Sequence, residues 1–464
     1  MLRPAPVLRA LALLFALSLG SAALRPAAAQ ARPDTDARGA VQAARADVDT
    51  LASARYAGRG YDRRGGAARA AAYLSQRFAE IGVTPFGRTY LRPYRDTTSV
   101  VDGVALAVDG QPLRLYTDFL PLPSVPAGWG AGDLVDVGFG LAMPGLDAYG
   151  GRDVRGRVAV VSDTLPRLRP PGTPEAPALL AAQLQTAAAR GAVAVIVLAD
   201  RLVYGAPRLD APVPTFVVDR ASWPAAAQTD VPRRASFWVE ARQRQPVAGV
   251  NVAAMVRGTT VPDSFLVVTA HYDHLGALAT DAATTAPGDA APGRLVVFPG
   301  ANDNASGTAL LVALAEAVRR APLRYTVVFA ALGGEELGLL GSTALAADAP
   351  WPLARTRFLL NVDMAGSGDG RVLVFGGQDH ADALARLRRV ADALPGPPPT
   401  VLVPRETRPN SDHWPFAQRG VPAFFLLTAG GPQPYHAPDD RAETLNWTAW
   451  EGVYRLSLGF LRTF

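Results

Sequence analysis

The sequence contains no cysteine. Disulfides, thiolate metal sites, cysteine nucleophiles and a lipidated bacterial cysteine anchor are therefore excluded. Export is not, because a large core can do without covalent staples. Lysine is absent too: all 46 basic residues are arginine, which we read as a compositional habit rather than a functional device. No apolar run reaches the ~20 residues of a membrane-spanning helix. Charged residues are sparse at 19%, against 49% hydrophobic; a disordered chain needs the reverse balance. Glycine (44) and proline (40) are plentiful but aperiodic, so collagen is out. The chain does have length. Its 464 residues are about three times the ~150-residue prior for one domain, so two or three units are expected.

The first of the segments is a leader. Arg3 and Arg9 supply a positive start, residues 10–24 are apolar, and Ala27-Ala28-Ala29 offers small residues for cleavage. This is the pattern of a signal peptide over 1–29. It predicts export to the periplasm or the medium, with no stable membrane anchor after cleavage. No Arg-Arg pair precedes the apolar run, which favours the general secretory route over the twin-arginine one. Cleavage after Ala29 removes Arg3, Arg9 and Arg25, so the formal charge falls from +5 to +2. A nearly neutral chain, without a basic helix or arginines interleaved with aromatics, gives no support for a nucleic-acid partner.

Periodicity divides the remainder. A helix is expected around 40–53 and another over 64–82, where Tyr73, Leu74, Phe78 and Ile81 share a face and Gly82 provides a stop. Residues 88–125 read as short strands with turns at Asp102-Gly103 and Asp109-Gly110. In 126–245, a strand at 157–162, a helix at 176–190 ending on Gly191, and strands at 192–198 and 214–218 give an α/β signal. This stretch holds no nucleophile elbow, phosphate loop or metal spacing, and the residues near 241–247 read as its joint to the next unit. From about 248, apolar strands at 265–270, 325–330, 358–362, 372–375 and 423–427 alternate with helices at 305–320, 336–347 and 381–394. Continuous apolar strands are those of a mostly parallel sheet buried on both faces. The expected organisation is a leader over 1–29, an N-terminal catalytic segment over 30–125, an inserted unit over 126–245 and a main catalytic domain over 246–464.

Open sheets of this kind bind ligands beyond the carboxyl ends of their strands, and those ends carry the chemistry. The first apolar strand runs into His271-Tyr272-Asp273-His274. The second runs into Gly333-Gly334-Glu335-Glu336 and the third into Asp363. Between the first two lies Gly300-Ala301-Asn302-Asp303-Asn304, and Tyr435-His436-Ala437-Pro438-Asp439-Asp440 follows a later strand. Crowded carboxylates repel one another, and divalent cations neutralise them. Imidazole and carboxylate without thiolate suit Zn²⁺, Mn²⁺ or Co²⁺. Two ions about 3.5–4 Å apart need a shared carboxylate and two further ligands each. His271, Asp303, Glu336, Asp363 and His436 make that number, at spacings of 32, 33, 27 and 73 residues.

In this order, HYDHLG, GANDNASG, GGEELGLLGS, NVDM and YHAPDD, the motifs resemble those of the co-catalytic zinc aminopeptidases, metallopeptidase family 28. Residues 57–60 and the helix at 64–82 resemble the start of the same catalytic domain. DVRGRVAVV and ARGAVAVIVL, within 126–245, resemble the protease-associated domain often inserted in this family. The implied fold is α/β: a zinc-exopeptidase sheet of the phosphorylase/hydrolase-like kind flanked by helices, with a smaller inserted α/β domain. The implied cofactors are two divalent metal ions, zinc first among them. His271 and Asp363 would hold one, Glu336 and His436 the other, and Asp303 would bridge. Glu335 would be general base and acid in a hydrolysis by metal-shared hydroxide. Asp273 would accept a hydrogen bond from the His271 ring, and Tyr435 would bond the oxyanion. Peptides are the implied substrates, cut most readily at the N-terminus.

The remaining residues weigh less. His413, in Ser411-Asp412-His413-Trp414 on a loop facing the site, is a candidate substrate or supporting contact. His274 reads as a loop-shaping residue. Trp414, Phe416, Phe424 and Phe425 read as core packing ahead of the alternative, a side-chain pocket lined by some of them. Competing readings are a carboxypeptidase, a dipeptidase, an N-acyl amino acid deacylase, a single-zinc glutaminyl cyclase and a non-catalytic binding protein. The deacylases insert a dimerisation domain between the fourth and fifth ligands, for which 73 residues leave no room. The cyclase has no need of the second metal set, and a binding protein has no need of Glu335.

Overall fold

The computed structural model describes residues 33–162, 178–202, 205, 209–224, 232–280, 294–396, 399–405, 410–431 and 434–464. The expected signal segment lies outside them. Among the described residues no helix is long and apolar enough to cross a membrane.

The chain opens with two helices. The first, α1 (Pro33–Leu51), begins earlier than expected. The second, α2 (Gly66–Ile81), stops at Gly82, whose left-handed φ of 76° lets its N–H reach the carbonyls of Phe78 and Ala79. A single strand, β1 (Leu91–Val108), then replaces the short strands expected after residue 88. Asp109-Gly110 is the turn that was read from the sequence, but Asp102-Gly103 is not a turn. Gly103 pairs with Glu240 and Val101 with Ala241, so Asp102 is an extra residue in the ladder, a β-bulge. The bulge points its carboxylate at the Arg242 guanidinium, 2.9 Å away.

The smaller unit follows. It contains β2 (Phe119–Pro121), β3 (Gly128–Asp136), β4 (Val158–Ser162), α3 (Ala178–Ala189), β5 (Ala194–Ala199) and β6 (Thr215–Asp219). Strands β3, β4, β5 and β6 pair in parallel in that order, and β2 closes the edge antiparallel to β6. Next comes β7 (Arg234–Val256), 23 residues long. It runs straight through 241–247, the stretch read as a joint, absorbing it as a second irregularity of register at Arg242–Gln245. Its first half lies between β3 and the end of β1; its last residues enter the catalytic sheet. The core of the smaller unit draws on Val101–Leu120 as well as on the strands after 126, so the packing crosses the expected boundary at 126.

The catalytic half holds β8 (Val261–His271), α4 (Gly307–Arg320), β9 (Tyr325–Leu332), α5 (Leu340–Ala347), β10 (Thr356–Val362), β11 (Arg371–Phe375), α6 (Ala381–Ala393), β12 (Ala423–Ala429) and α7 (Trp447–Leu461). The sheet order is β1-β7-β9-β8-β10-β12-β11. Its centre, from β9 to β12, is parallel; β7 and β11 flank it antiparallel. Strand alternation fills both faces. Leu266, Val268 and Ala270 pack with α1, α2, α4 and α7 on one side, while Val267 packs with Leu345 of α5, Trp351 and Phe416 on the other. Burial on both faces is why these strands are apolar throughout. The last helix, α7, was not read from the sequence. It is capped by the Asn446 side chain and pins the loop before α4 through Trp450 Nε1, which donates to the Ser306 carbonyl at 3.0 Å.

Candidate active site

The parallel strands end on one edge, and five side chains converge there. His271 closes β8. Its Nε2 lies 3.1 Å from Asp363 Oδ1 and 3.3 Å from Asp303 Oδ1. His436 Nε2 lies 3.1 Å from Asp303 Oδ2 and 3.2 Å from Glu336 Oε2. Each oxygen of Asp303 therefore faces a different histidine. Donor atoms group into two sets that share Asp303: His271, Asp303 and Asp363, and His274, Asp303, Glu336 and His436. His274, read from the sequence as a loop-shaper, places Nδ1 2.7 Å from Glu336 Oε1, inside the second set.

The two glutamates do not start a helix as expected; α5 begins at Leu340. They stand on a turn directly after β9, with Gly334 (φ 75°) and Leu339 (φ 64°) in the left-handed region. The turn is held from behind. Gly333 N–H donates to Asn251 Oδ1 at 3.1 Å, and Tyr94 O–H donates to the Gly333 carbonyl at 2.7 Å.

The Asp303 loop is fixed by its neighbours in the motif. Asn304 Nδ2 donates to the Val362 carbonyl, and its Oδ1 accepts from Gly307 and Met364. Asn302 Oδ1 accepts from Gly366. These amides tie the loop of one metal-ligand candidate to the loop of another, Asp363. Asp440 accepts the backbone N–H groups of Asn302 and Asp303 at 2.8 and 3.0 Å. Beneath them lies Arg59, with no solvent exposure. It donates to the carbonyls of Tyr272, Leu51, Pro299 and Gly300 at 2.6–2.9 Å, and to Asp303 at 3.4 Å. One side chain thus ties the end of α1 and the start of the loop after β8 to the Asp303 loop. The only sequence signal for it is an arginine set among small residues, Ala57-Gly58-Arg59-Gly60.

Two expected contacts differ. Asp273 does not bond the His271 ring through its carboxylate. Nδ1 of His271 faces the Asp273 backbone carbonyl at 3.2 Å, with the carboxylate at 3.8 Å. Asp273 Oδ1 instead accepts the Glu335 N–H at 3.2 Å, so the side chain positions the residue before a candidate ligand. His413 does not line the cleft. It is buried and stacks on Phe425 at 5.4 Å, and Phe425 forms the wall. Phe416 and Phe424 are core residues, as expected. Tyr435 does reach the cleft. Its ring stacks on His436 at 3.8 Å and is 43% exposed. The cleft, of about 480 Å³, is lined by His271, Asp303, Glu335, Asp363, Tyr435 and His436 on its chemical side.

The electrostatics follow from burial set against charge. Burial works to lower the His271 imidazole, but Asp363, Glu335 and Asp303 outweigh it and hold its pKa well above the usual range. Burial likewise opposes His436, and Glu336 and Asp303 outweigh it. Burial raises Asp303 and Glu336, yet the histidines prevail, leaving Asp303 well below the carboxylate range and Glu336 at about 2. Glu335 goes the other way, raised well above its usual value by burial and by Glu336, Asp363 and Asp412 against the pull of His271.

Three supporting carboxyls are raised chiefly by burial: Asp273 and Asp440 to about 7, Asp412 to about 6. The folded chain therefore keeps protons that the unfolded chain has shed above ~4. Stability associated with these groups is complete below pH ~4 and is lost as pH rises to about 7. The lowered carboxyls, Asp303 and Glu336, contribute in full above ~4 and do not oppose the trend. Glu335 and the raised histidines reinforce it, the histidines above ~6.5. Together with the three carboxyls they outweigh His274, His380 and His413, which burial lowers and which oppose the trend as pH falls below ~6.5. Metal-free protein should accordingly show a higher denaturant midpoint at pH 5 than at pH 8. A flat or rising profile in chelator would contradict this account.

The family model described as peptidase family M28 matches residues 251–461. A probable zinc metalloprotease of Leptosphaeria maculans is 37% identical over 125 residues, 27% of this chain and 26% of that one. One of Pyricularia oryzae is 37% identical over 132 residues, 28% and 24% of the respective chains. The matched stretch thus spans about a quarter of the length of these curated relatives. Among solved structures, BSAP, a zinc aminopeptidase from Bacillus subtilis, superposes with a TM-score of 0.66 at 19% identity, over 91% of this chain and 94% of that one. An aminopeptidase from Aneurinibacillus sp. strain AM-1 gives 0.61 at 20% identity, over 91% and 92%. At such identities the likeness is one of fold, and it extends across both sheets. The motif residues drawn together at the strand ends all lie within 251–461, the stretch that the peptidase family M28 model matches.

Proposed function

We propose that the chain is an exported, zinc-dependent exopeptidase that removes N-terminal residues from peptides. The observation that carries the reading is the pair of donor sets sharing Asp303, with Glu335 beside them and outside both. The donors fit divalent ions. They are oxygen and imidazole nitrogen only, they converge, and in the ion-free chain they leave His271 and His436 to take up protons that metal would displace. His271 and Asp363 would hold one ion, Glu336 and His436 the other, with Asp303 common to both and His274 bracing Glu336.

Ions bound there would supply Lewis acidity, polarising a peptide carbonyl and acidifying the attacking water. The chain's own groups do the rest. Glu335 takes a proton from the water and later gives it to the departing amine, which cannot leave as an anion. The Tyr435 hydroxyl, which reaches the cleft, donates to the carbonyl oxygen as its charge grows. The stretch 126–245 is read as a protease-associated domain. Export rests on the leader-like pattern over 1–29.

The test compares an amino-acid p-nitroanilide bearing a free α-amine with its N-acetylated twin, each with chelator and after zinc is restored. Release from the free amine alone, abolished by chelator and regained with zinc, is expected. Release from the acetylated substrate would replace this reading with an acylase one. Release that survives thorough chelation would end the metal reading altogether.

A further inference from the structure

One residue of the cleft wall does not come from the catalytic half. Arg201 lies two residues past the end of β5, in the smaller unit, yet it lines the same cleft as Glu335 and Asp363. It is exposed. Among the described residues it makes no ion pair, and its charge reaches the Tyr116 hydroxyl, where it opposes burial and Asp439. Tyr116 meets the ring of Phe298 edge-on at 5.8 Å, which sets it against the strand leading into the Gly300–Asp303 loop. Asn410 adds an amide to the same cleft. An arginine recruited for stability is expected to turn onto a carboxylate, as Arg220 does on Asp200 and Arg233 on Asp109. Arg201 lines the cleft instead, on a wall that also carries Glu335 and Asp363.

A guanidinium in that position matches the geometry of a carboxylate, which it binds through two parallel N–H donors. The cleft volume of about 480 Å³ falls in the ordinary range for small-ligand sites. The chemical groups and the arginine together suit a short chain that carries a negative charge. We propose that Arg201 is a specificity residue, contributed by the smaller unit, that pairs with a carboxylate of a short peptide substrate. The peptide class rests on the peptidase reading; the carboxylate site does not. The carboxylate is either the C-terminus of the peptide or an acidic side chain.

Three peptides separate these cases: Leu-Gly-Gly as the free acid, Leu-Gly-Gly amide and Leu-Asp-Gly amide. Their binding is measured by calorimetry on zinc-loaded Glu335→Gln protein, and their hydrolysis on the unaltered chain. One carboxylate peptide should bind about 10- to 100-fold more tightly than Leu-Gly-Gly amide, the range for a hydrogen-bonded charge. Preference for the free acid identifies the terminal carboxylate; preference for Leu-Asp-Gly amide identifies the side chain. Adding Arg201→Gln should bring the ratio to near one, and Arg201→Lys should restore part of it. A variant damaged only in its fold would weaken all three peptides together and keep the ratio, and a ratio that survives Arg201→Gln overturns the proposal. So does equal binding of the three peptides. Discrimination that depends on Arg201 without cleavage of any peptide would keep the carboxylate site and remove the peptidase reading. Cleavage without discrimination would do the reverse.

Discussion

Glu335→Gln should lower kcat by about 10²- to 10⁴-fold, the usual worth of a placed general acid–base, while the protein keeps its metal. Glutamine preserves the shape of the side chain and cannot take a proton. The prediction separates two adjacent residues of the same type. Glu336 belongs to a donor set and its neighbour does not, so Glu336→Gln should lose metal as well as activity. The difference arises from the turn. Gly333 is held by Asn251 and Tyr94, and the Glu335 N–H is held by Asp273, so consecutive side chains are sent to different places. Metal content by atomic absorption, read beside kcat and KM, checks both halves. A Glu335→Gln enzyme within tenfold of the parent would remove the residue from the chemistry. Equal metal loss from both variants would make it a ligand.

Arg59→Met should destabilise the chain by about 3–5 kcal/mol, the scale of breaking a buried charged interaction from one side. The substitution keeps an apolar stem of similar length but leaves the carbonyls of Tyr272, Leu51, Pro299 and Gly300 without their donor. Burial lowers the guanidinium to about 10, with Asp440, Asp303, Asp273 and Glu336 opposing the fall, so the charge is present at neutral pH. Removing it also removes a cation from beneath an acidic centre. Denaturant midpoints should fall in metal-free and zinc-loaded protein alike, and zinc affinity should fall with them. Arg59→Lys should recover little, because one ammonium cannot reach the spread of acceptors a planar fork reaches. An unfolding free energy within about 1 kcal/mol of the parent would show that the carbonyls find other donors.

The catalytic strands could be read from sequence because burial on both faces makes them uniformly apolar, and because their last residues change abruptly to His271, Glu335 and Asp363. Helix α2 was equally plain, through its apolar spacing and the glycine that ends it. The long strands β1 and β7 were not. Asp102-Gly103 carries the residue pair of a turn, but the pairing of both flanks with β7 turns it into a bulge. Residues 241–247 carry a proline and two arginines, yet they sit where two ladders of the same strand meet, and their polar side chains find partners distant in sequence, Arg242 on Asp102, Gln243 on the Ala211 carbonyl and Arg244 on Asp210. Local composition does not contain these pairings. The same limit applies around the site. Candidate ligands could be proposed by type and order, whereas Arg59, Asp440 and Asn304 act through backbone groups distant in sequence, and an acceptor carbonyl leaves no trace in a residue code. His413 misled because its neighbours in sequence face the site while its own ring turns under Phe425.

The ribbon of β1 and β7 pairs from Ala235 with Val108 to Val252 with Leu91, passing from one sheet into the other. Two layers joined by a swivel could open and shut on a substrate. Layers that share the same pair of strands are coupled instead, so any change in the span between Arg201 and the strand ends has to pass through this ladder, whose register slips at Glu240–Ala241 and at Arg242–Gln245. The length a substrate can have would then be set by the ribbon as much as by the residues that line the cleft.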